Sequence, residues 1–402
     1  NMRRLKGEII FEGLGLHTGE FCKIRLKPRE RGYVFVKNGK EIPARYEFVS
    51  DTNRNVTLER DGERVMTVEH LLSALYGLRV LGAEIEVEGP EVPALDGSSK
   101  IFVERILENS EEAEGRVYNL KYPIEYEGER AKILALPSGT FKVSYAIRFE
   151  DKGFSQFFEF SIGDYIDKIA AARTFVFKED IEWILKGGLG KGGNLENVLV
   201  IGESQDWRFP DEPVRHKVLD FIGDLSLSGI FINAHFIVLM GSHADHVNFA
   251  KLLAERGIWG DEMEIGEIFS SLPHRFPFLL VDKIVHISED RAVGIKNVTI
   301  NEWFFEGHFP ENPVMPGVLQ IESMAQVAGA VLIKRLEGKR LVPLFVGIED
   351  VKFKRIIKPG DTMFIYVKLL RFGGRFAKAL GEIFVDKELV ASAVMTATFV
   401  EG

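Results

Sequence analysis

Along the first 160 residues, short runs rich in Val, Ile and Phe predict strands at Glu8–Phe11, Cys22–Leu26, Tyr33–Val36, Ala83–Val87, Lys132–Ala135 and Thr140–Ile147. Apolar stripes at helical spacing predict helices over Thr67–Leu78, Ser98–Glu108, Glu179–Lys186, Pro213–Leu227 and His246–Arg256. Strands with interspersed helices recur loosely in two halves that meet near Glu111–Val117. That order implies a duplicated α+β architecture, a two-layer sandwich built twice. The pattern changes after Gly257–Gly260. Beyond it stand one long apolar helix, Pro316–Arg335, and strands at Asp282–Ile287, Ala292–Val298, Leu344–Phe353, Thr362–Phe372, Ala377–Val385 and Glu388–Val400. One helix with five or six antiparallel strands predicts a sheet wrapped round that helix. The expected domains are residues 1–115, 116–262 and 263–402.

The 402 residues, 46% hydrophobic and 28% charged, exceed any single small binding module and suit two or three domains. Cys22 is the only cysteine, so no intrachain disulfide is expected, and it reads as a small buried strand residue. No run of about eighteen apolar residues occurs, and Asn1 to Lys6 lack the apolar stretch of a signal peptide. A cytoplasmic chain without a membrane span is expected. The net charge of −9 argues against non-specific nucleic-acid binding, which needs basic surface to neutralise phosphates. Charge is unevenly divided: residues 1–265 hold 34 Lys and Arg against 44 Asp and Glu, and the remainder is near neutral.

On the helix Pro213–Leu227 the apolar residues share one stripe, while His216, Asp220 and Asp224 recur every four residues on the other side. Solvated faces are usually built of Lys, Glu and Arg, and this one is not. The helix Thr67–Leu78 likewise sets Glu69 and His70 off its apolar stripe, among Ser73 and Gly77, which suggests a lined cleft. His70, His216 and Asp220 would offer nitrogen and oxygen ligands that suit Zn²⁺ with a fourth position open. Glu69, beside a ligand, would serve as general base. Spacing alone cannot bring together residues this far apart in sequence.

The strings TVEHLLSALYGL, PEVPALDGSS, AARTFVF and VRHKVLDFIGDL, in this order, resemble those of the bacterial UDP-3-O-acyl-N-acetylglucosamine deacetylase, a zinc amidase of lipid A synthesis. The resemblance spans residues 2–257. It implies His70, His216 and Asp220 as zinc ligands and Glu69 as base for the water attacking the acetamide carbonyl. It further implies that Thr174 donates a hydrogen bond to the oxyanion and that His243 stabilises it and protonates the leaving amine. Asp224 would orient His243 and raise its pKa. Lys217 and Phe175 would hold the UDP-sugar acyl substrate. The family usually continues its second histidine as HALN, whereas here the text is SHADH, so His246 competes with His243 for the acid role. Counting from His216 favours His243, and His246 is expected to be a helix-start residue without chemistry. His17 in GLGLHTG is either part of the site or a turn-stabilising residue. Gly187–Asn194 lacks the Gly-Lys-Ser/Thr ending of a phosphate loop and reads as a mobile loop near the site. Apolar residues around Ile184–Val200 suit either an acyl passage or ordinary core.

In the second part, Glu322 enters an otherwise apolar helix that should be buried all round, so it must be neutral, partnered or facing a cavity. Prolines fix His308 just upstream. The string GHFPENPVMPGVLQIESMAQ, with LPHRFPFLLVDKI before it, resembles the signature of 3-hydroxyacyl-[acyl-carrier-protein] dehydratase, a hot-dog fold enzyme, across residues 267–401. The resemblance implies that His308 takes the C2 proton and Glu322 delivers a proton to, or orients, the departing hydroxyl. The Gly317 N–H, at a helix N-terminus, would bind the thioester oxygen. It also implies a homodimer that completes the dyad across protomers, often assembled into a hexamer. Lys352, Lys354, Arg355, Lys358, Lys368, Arg371, Arg375 and Lys378 offer a basic surface to an acidic acyl-carrier protein, or protect an edge strand from aggregation. The expected whole is a bifunctional deacetylase and dehydratase. The alternatives are a deacetylase fused to a non-catalytic hot-dog oligomerisation or acyl-binding module, or to a hot-dog thioesterase.

Overall fold

The structure, a computed structural model, describes residues 1–336 and 341–401. Two compact units, Asn1–Gly257 and Ile258–Gly402, divide the chain.

In the first unit, β1 (Ile9–Leu14), β2 (Phe21–Pro28), β3 (Gly32–Lys37), β4 (Lys40–Pro43) and β5 (Gly82–Glu88) form a sheet in the order β1-β2-β5-β3-β4. A second sheet of β6 (Ile124–Glu127), β7 (Lys132–Leu136), β8 (Lys142–Phe149), β9 (Phe154–Ser161) and β10 (His235–Leu239) runs β6-β7-β10-β8-β9. In both, the third strand in the order pairs parallel with the fourth and every other pairing is antiparallel. The shared topology is the backbone mark of a duplication that leaves no repeat in the letters. Alternation sets the buried face of each sheet: Cys22, Ile24 and Leu26 in one, Val143, Tyr145 and Ile147 in the other.

Helices α1 (Glu69–Gly77) and α2 (Lys100–Glu108) come from the first half, α3 (Glu212–Leu225) and α4 (His243–Arg256) from the second. α1 and α3 pack directly on each other. A Cβ added at Gly223 would stand 3.0 Å from the Glu69 carbonyl carbon and 3.2 Å from Ser73 N, so only glycine permits this approach. Ser73 and Gly77 are likewise buried within packing, Gly77 against the Tyr165 ring. The small residues expected to line a cleft instead let two helices touch. α4 starts three residues earlier than its periodicity predicts. Ser242 and Asp245 form a capping box that opens it at His243.

The second unit is a seven-stranded antiparallel sheet. Its strands are β11 (Asp261–Met263), β12 (Lys283–Ile287), β13 (Arg291–Asn297), β14 (Leu341–Phe353), β15 (Thr362–Gly373), β16 (Phe376–Val385) and β17 (Glu388–Glu401), in the order β11-β12-β13-β15-β16-β17-β14. The strand beyond the expected six is β11, three residues long and too short to show a period; its pairing with β12 places it in the second unit. Helix α5 (Gly317–Arg335) lies on this sheet and presses Met324 against Gly381, where a Cβ would come within 2.7 Å of the Met324 sulfur. α5 is not buried all round. Val318 is 72% exposed, and Glu322 and Ala325 are partly so, because the strip they form lacks a cover within one chain.

Candidate functional site

The glycine contact between α1 and α3 sets Glu69 and His70 opposite His216, Asp220 and Asp224. Asp220 Oδ1 is the meeting point, with His216 Nε2 at 3.2 Å and His70 Nε2 at 3.7 Å. The two rings meet edge to face, 4.9 Å between centroids. His216 Nδ1 lies 2.9 Å from the Ala172 carbonyl oxygen. That acceptor places a proton on Nδ1, so in the neutral tautomer Nε2 is the nitrogen with a lone pair, and it is the one that faces Asp220. Burial, reinforced by His216, lowers His70 to about 3, so its imidazole is neutral. For Asp220, burial alone would raise the carboxyl; His216, His243 and Lys217 outweigh it and hold the group well below the usual carboxylate range.

Asp220 Oδ1 is buried and accepts no hydrogen bond. Lone pairs converging without a proton between them are costly in a buried place. Ligands 2.0–2.2 Å from one tetrahedral ion stand roughly 3.3–3.6 Å apart, close to the spacings found. The donors therefore fit a divalent metal. Asp224, His243 and His246 also cluster. Their contacts, 2.7 and 2.9 Å between Asp224 Oδ2 and each Nδ1, are hydrogen-bond lengths that a proton satisfies.

Around these donors stand the other polar groups. Val56 N–H donates to Glu69 Oε2 at 3.0 Å, and Glu69 Oε1 faces His243 Nε2 at 3.9 Å. Burial pushes the Glu69 carboxyl up to about 8, with His243 opposing. For His243, burial would lower the imidazole, but Asp224, Asp220 and Glu69 outweigh it and raise it to about 9. Lys217 Nζ lies 3.9 Å from Asp220 Oδ2, and Phe175 packs edge-on against the His216 ring. Thr174 is fixed through its backbone, its N–H donating to Gly97 O at 2.8 Å.

A cavity of about 610 Å³ is lined by Glu69, His70, Thr174, Phe175, His216, Lys217, Asp220 and His243, and also by the apolar Ile184, Leu185, Leu195, Val198 and Val200. Asp224 sits behind His243, and His246 is fully buried, hydrogen-bonded to Asp224 and Tyr145. His17 lines the same cavity and its Nδ1 accepts from Gly190 N–H at 3.3 Å. Lys191 and Gly192 donate their N–H groups to His17 O and Leu16 O, so the glycine-rich stretch is pinned beside the site.

Several supporting residues escape a reading of the letters. Arg173, 1% exposed, donates from its backbone N–H and Nε to Glu212 Oε1 at 3.0 and 2.9 Å, and thereby holds the AARTF segment in place. Buried Glu91 accepts from the N–H groups of His17 and Thr18 and from the Thr67 hydroxyl. A charged residue next to Thr174 was the available signal for the first; nothing local marks the second.

In the second unit, His308 Nδ1 lies 2.7 Å from the Val314 carbonyl oxygen, which places a proton there, so in the neutral tautomer Nε2 is the acceptor. Glu322 Oε1 accepts from Gln326 Nε2 at 2.9 Å and lies 3.3 Å from His274 Nε2. Gln326 also donates to Phe278 O and accepts from Leu280 N–H, each at 2.8 Å. Gly317 opens α5 against the Phe353 ring, where a Cβ would come within 2.7 Å. Among the described residues no hydrogen bond or ion pair joins His308 to Glu322 within one chain.

Comparison with known proteins divides the chain in the same way. The UDP-3-O-acyl N-acetylglycosamine deacetylase (LpxC) family matches residues 2–255, and the FabA-like domain matches residues 272–394. The bifunctional enzyme LpxC/FabZ of Chlorobaculum tepidum is 35% identical over all of this chain and 99% of that protein. The chain belongs to this bifunctional LpxC/FabZ family. It joins a deacetylase to a hot-dog dehydratase, with one activity in lipid A and the other in fatty-acid biosynthesis. The protein of the same name from Bacteroides thetaiotaomicron is 34% identical over the full chain and 99% of its own length. The UDP-3-O-acyl-N-acetylglucosamine deacetylase of Aquifex aeolicus is 42% identical over 63% of this chain and 93% of its own length. Among the described residues no helix is long and apolar enough to cross a membrane.

Proposed function

We propose that the first unit hydrolyses the acetamide of a UDP-3-O-(3-hydroxyacyl)-N-acetylglucosamine, using His70, His216 and Asp220 to hold Zn²⁺. When bound, the metal supplies Lewis-acid polarisation and makes water a stronger acid. Glu69 Oε1 accepts the proton of the attacking water. The Thr174 hydroxyl donates a hydrogen bond to the oxygen that gains charge. His243 keeps Nδ1–H on Asp224 and gives its Nε2 proton to the nitrogen as the C–N bond breaks, so acetate and a free amine leave. Lys217 and Phe175 hold the substrate beside these groups. The observation that carries this reading is the single cavity, which joins the polar cluster to apolar walls able to take an acyl chain. Glu69→Gln should lower deacetylation by about 10²–10⁴-fold with metal content unchanged. Undiminished turnover would overturn the assignment.

The second unit acts on 3-hydroxyacyl-[acyl-carrier-protein]. His308 Nε2 takes the C2 proton, Glu322 gives a proton to the C3 hydroxyl, and the Gly317 N–H stabilises the thioester oxygen while water leaves. Because His308 and Glu322 do not meet within one chain, a second copy completes the dyad. The exposed strip with Val318, and exposed Leu344, Val346 and Ile348 on edge strand β14, support that homodimer, the building block of a hexamer. Arg355 pairs with Asp361 and Glu388, and Lys378 with Glu349. Exposed Lys352, Lys354 and Lys358 remain for an acidic carrier protein. Glu322→Gln should abolish enoyl product; dehydration that survives it, or release of free thiol, would favour a different hot-dog activity.

A further inference from the structure

His246 stands where the deacetylase pattern has another residue, and it lies deep beneath the site. It has no exposed surface and does not line the cavity. Its ring is fixed on both edges. Nδ1 is 2.9 Å from Asp224 Oδ2, and Nε2 is 2.8 Å from the Tyr145 hydroxyl, which in turn lies 2.9 Å from Gly241 O. Phe221 packs edge-on against the ring, 5.2 Å between centroids. Gly241 is required beside it, because a Cβ there would come within 2.6 Å of His246 Nε2 and 2.7 Å of the Tyr145 oxygen.

Asp224 Oδ2 is the oxygen that His243 also contacts, at 2.7 Å. The other oxygen, Oδ1, is buried and accepts nothing. A carboxylate with two protein donors on one oxygen and none on the other is held in orientation by those donors alone. Removal of one leaves a charge with less compensation and freer to turn about its χ2 angle. Tyr145 lies on β8 and Phe221 on α3, so the bracket is anchored in both layers of the second half.

We propose that His246 is a positioning residue for deacetylation: gripped by Tyr145 and Phe221, it holds the Asp224 carboxylate so that Oδ2 meets His243 Nδ1. It touches neither substrate nor metal ligand and acts through Asp224 on His243. The inference rests on the assignment of His243 as proton donor.

The test measures kcat, KM, bound metal and thermal unfolding for His246→Leu, His246→Asn, His243→Ala and the His246→Leu/His243→Ala pair, with dehydration in each preparation as an internal control. His246→Leu should lower deacetylation kcat by about 10–100-fold with KM, metal content and dehydration unchanged. His246→Asn, which returns an N–H donor to Asp224, should recover most of the loss. In the His243→Ala background, His246→Leu should change kcat less than twofold, since the residue it positions is gone. A kcat for His246→Leu within twofold of wild type overturns the inference, as does a full effect in the His243→Ala background. So does a loss shared by kcat, KM, metal and unfolding temperature that asparagine fails to recover. If His243→Ala itself keeps full kcat, the donor assignment fails first, and that outcome is distinct.

Discussion

Gly223 on α3 faces the backbone of Glu69 on α1 so closely that a Cβ at 223 would stand 3.0 Å from the Glu69 carbonyl carbon. The contact ties helix packing to chemistry. It decides how far the pair Glu69 and His70 stands from His216 and Asp220, and those distances decide whether one ion can be held.

Gly223→Ala should therefore act on stability and on the metal together. Overpacking of this kind costs about 1–3 kcal/mol. The helices must part by several tenths of an ångström, so bound metal should weaken and deacetylation fall, while the separate second unit keeps its dehydration rate. Parallel thermal unfolding, metal analysis and the two activity assays check this. An alanine variant with wild-type metal affinity would show that the close approach has no bearing on the site.

Arg173 and Glu212 form a buried pair whose partners cannot be replaced by water. Glu212→Ala removes the buried carboxylate and leaves Asp206, at the exposed end of the guanidinium, as its remaining charged partner, so it should destabilise the first unit by about 1–3 kcal/mol. Chemical denaturation read on the first unit measures it. Glu212→Gln, which keeps the acceptor without the charge, should lose less. Equal losses for the two variants would locate the effect in shape rather than charge.

Much of the architecture was legible because period and composition carried it. The stripes of α1 and α3, the long apolar run of α5 and the alternation of β2, β5 and β8 appear in the letters within a few residues of their observed ends. β9 was missed because aromatic residues stand on both of its faces, Phe157 outward and Phe160 inward, which hides the period of two. β10 was missed because a five-residue apolar run does not announce its type. The polar side of α3 was visible, but not its burial, since burial depends on α1 arriving from far away in sequence. The hydrogen bonds of His246 are not legible in the sequence because its partners, Asp224 and Tyr145, lie on other elements. Gln326 sits four residues from Glu322, a spacing that could have revealed the pair.

That pair carries a prediction for the second unit. Gln326 holds Glu322 and also satisfies Leu280 N–H and Phe278 O. Gln326→Leu should cost about 1–3 kcal/mol through the unpaired backbone groups and should slow dehydration by freeing Glu322, with deacetylation untouched. Gln326→Glu, which keeps the reach but sets two carboxyls side by side, should slow dehydration further. Steady-state dehydration kinetics with both variants decides it; unchanged rates in both would detach Gln326 from the dyad.

His70, His216 and Asp220, from two helices far apart in sequence, are proposed to close on one metal ion. Metal analysis of the purified chain and of its His216→Ala variant tests it most directly. About one equivalent of metal is expected in the parent chain, with its loss from the variant and dehydration preserved in both. Stoichiometric metal retained by His216→Ala would contradict it.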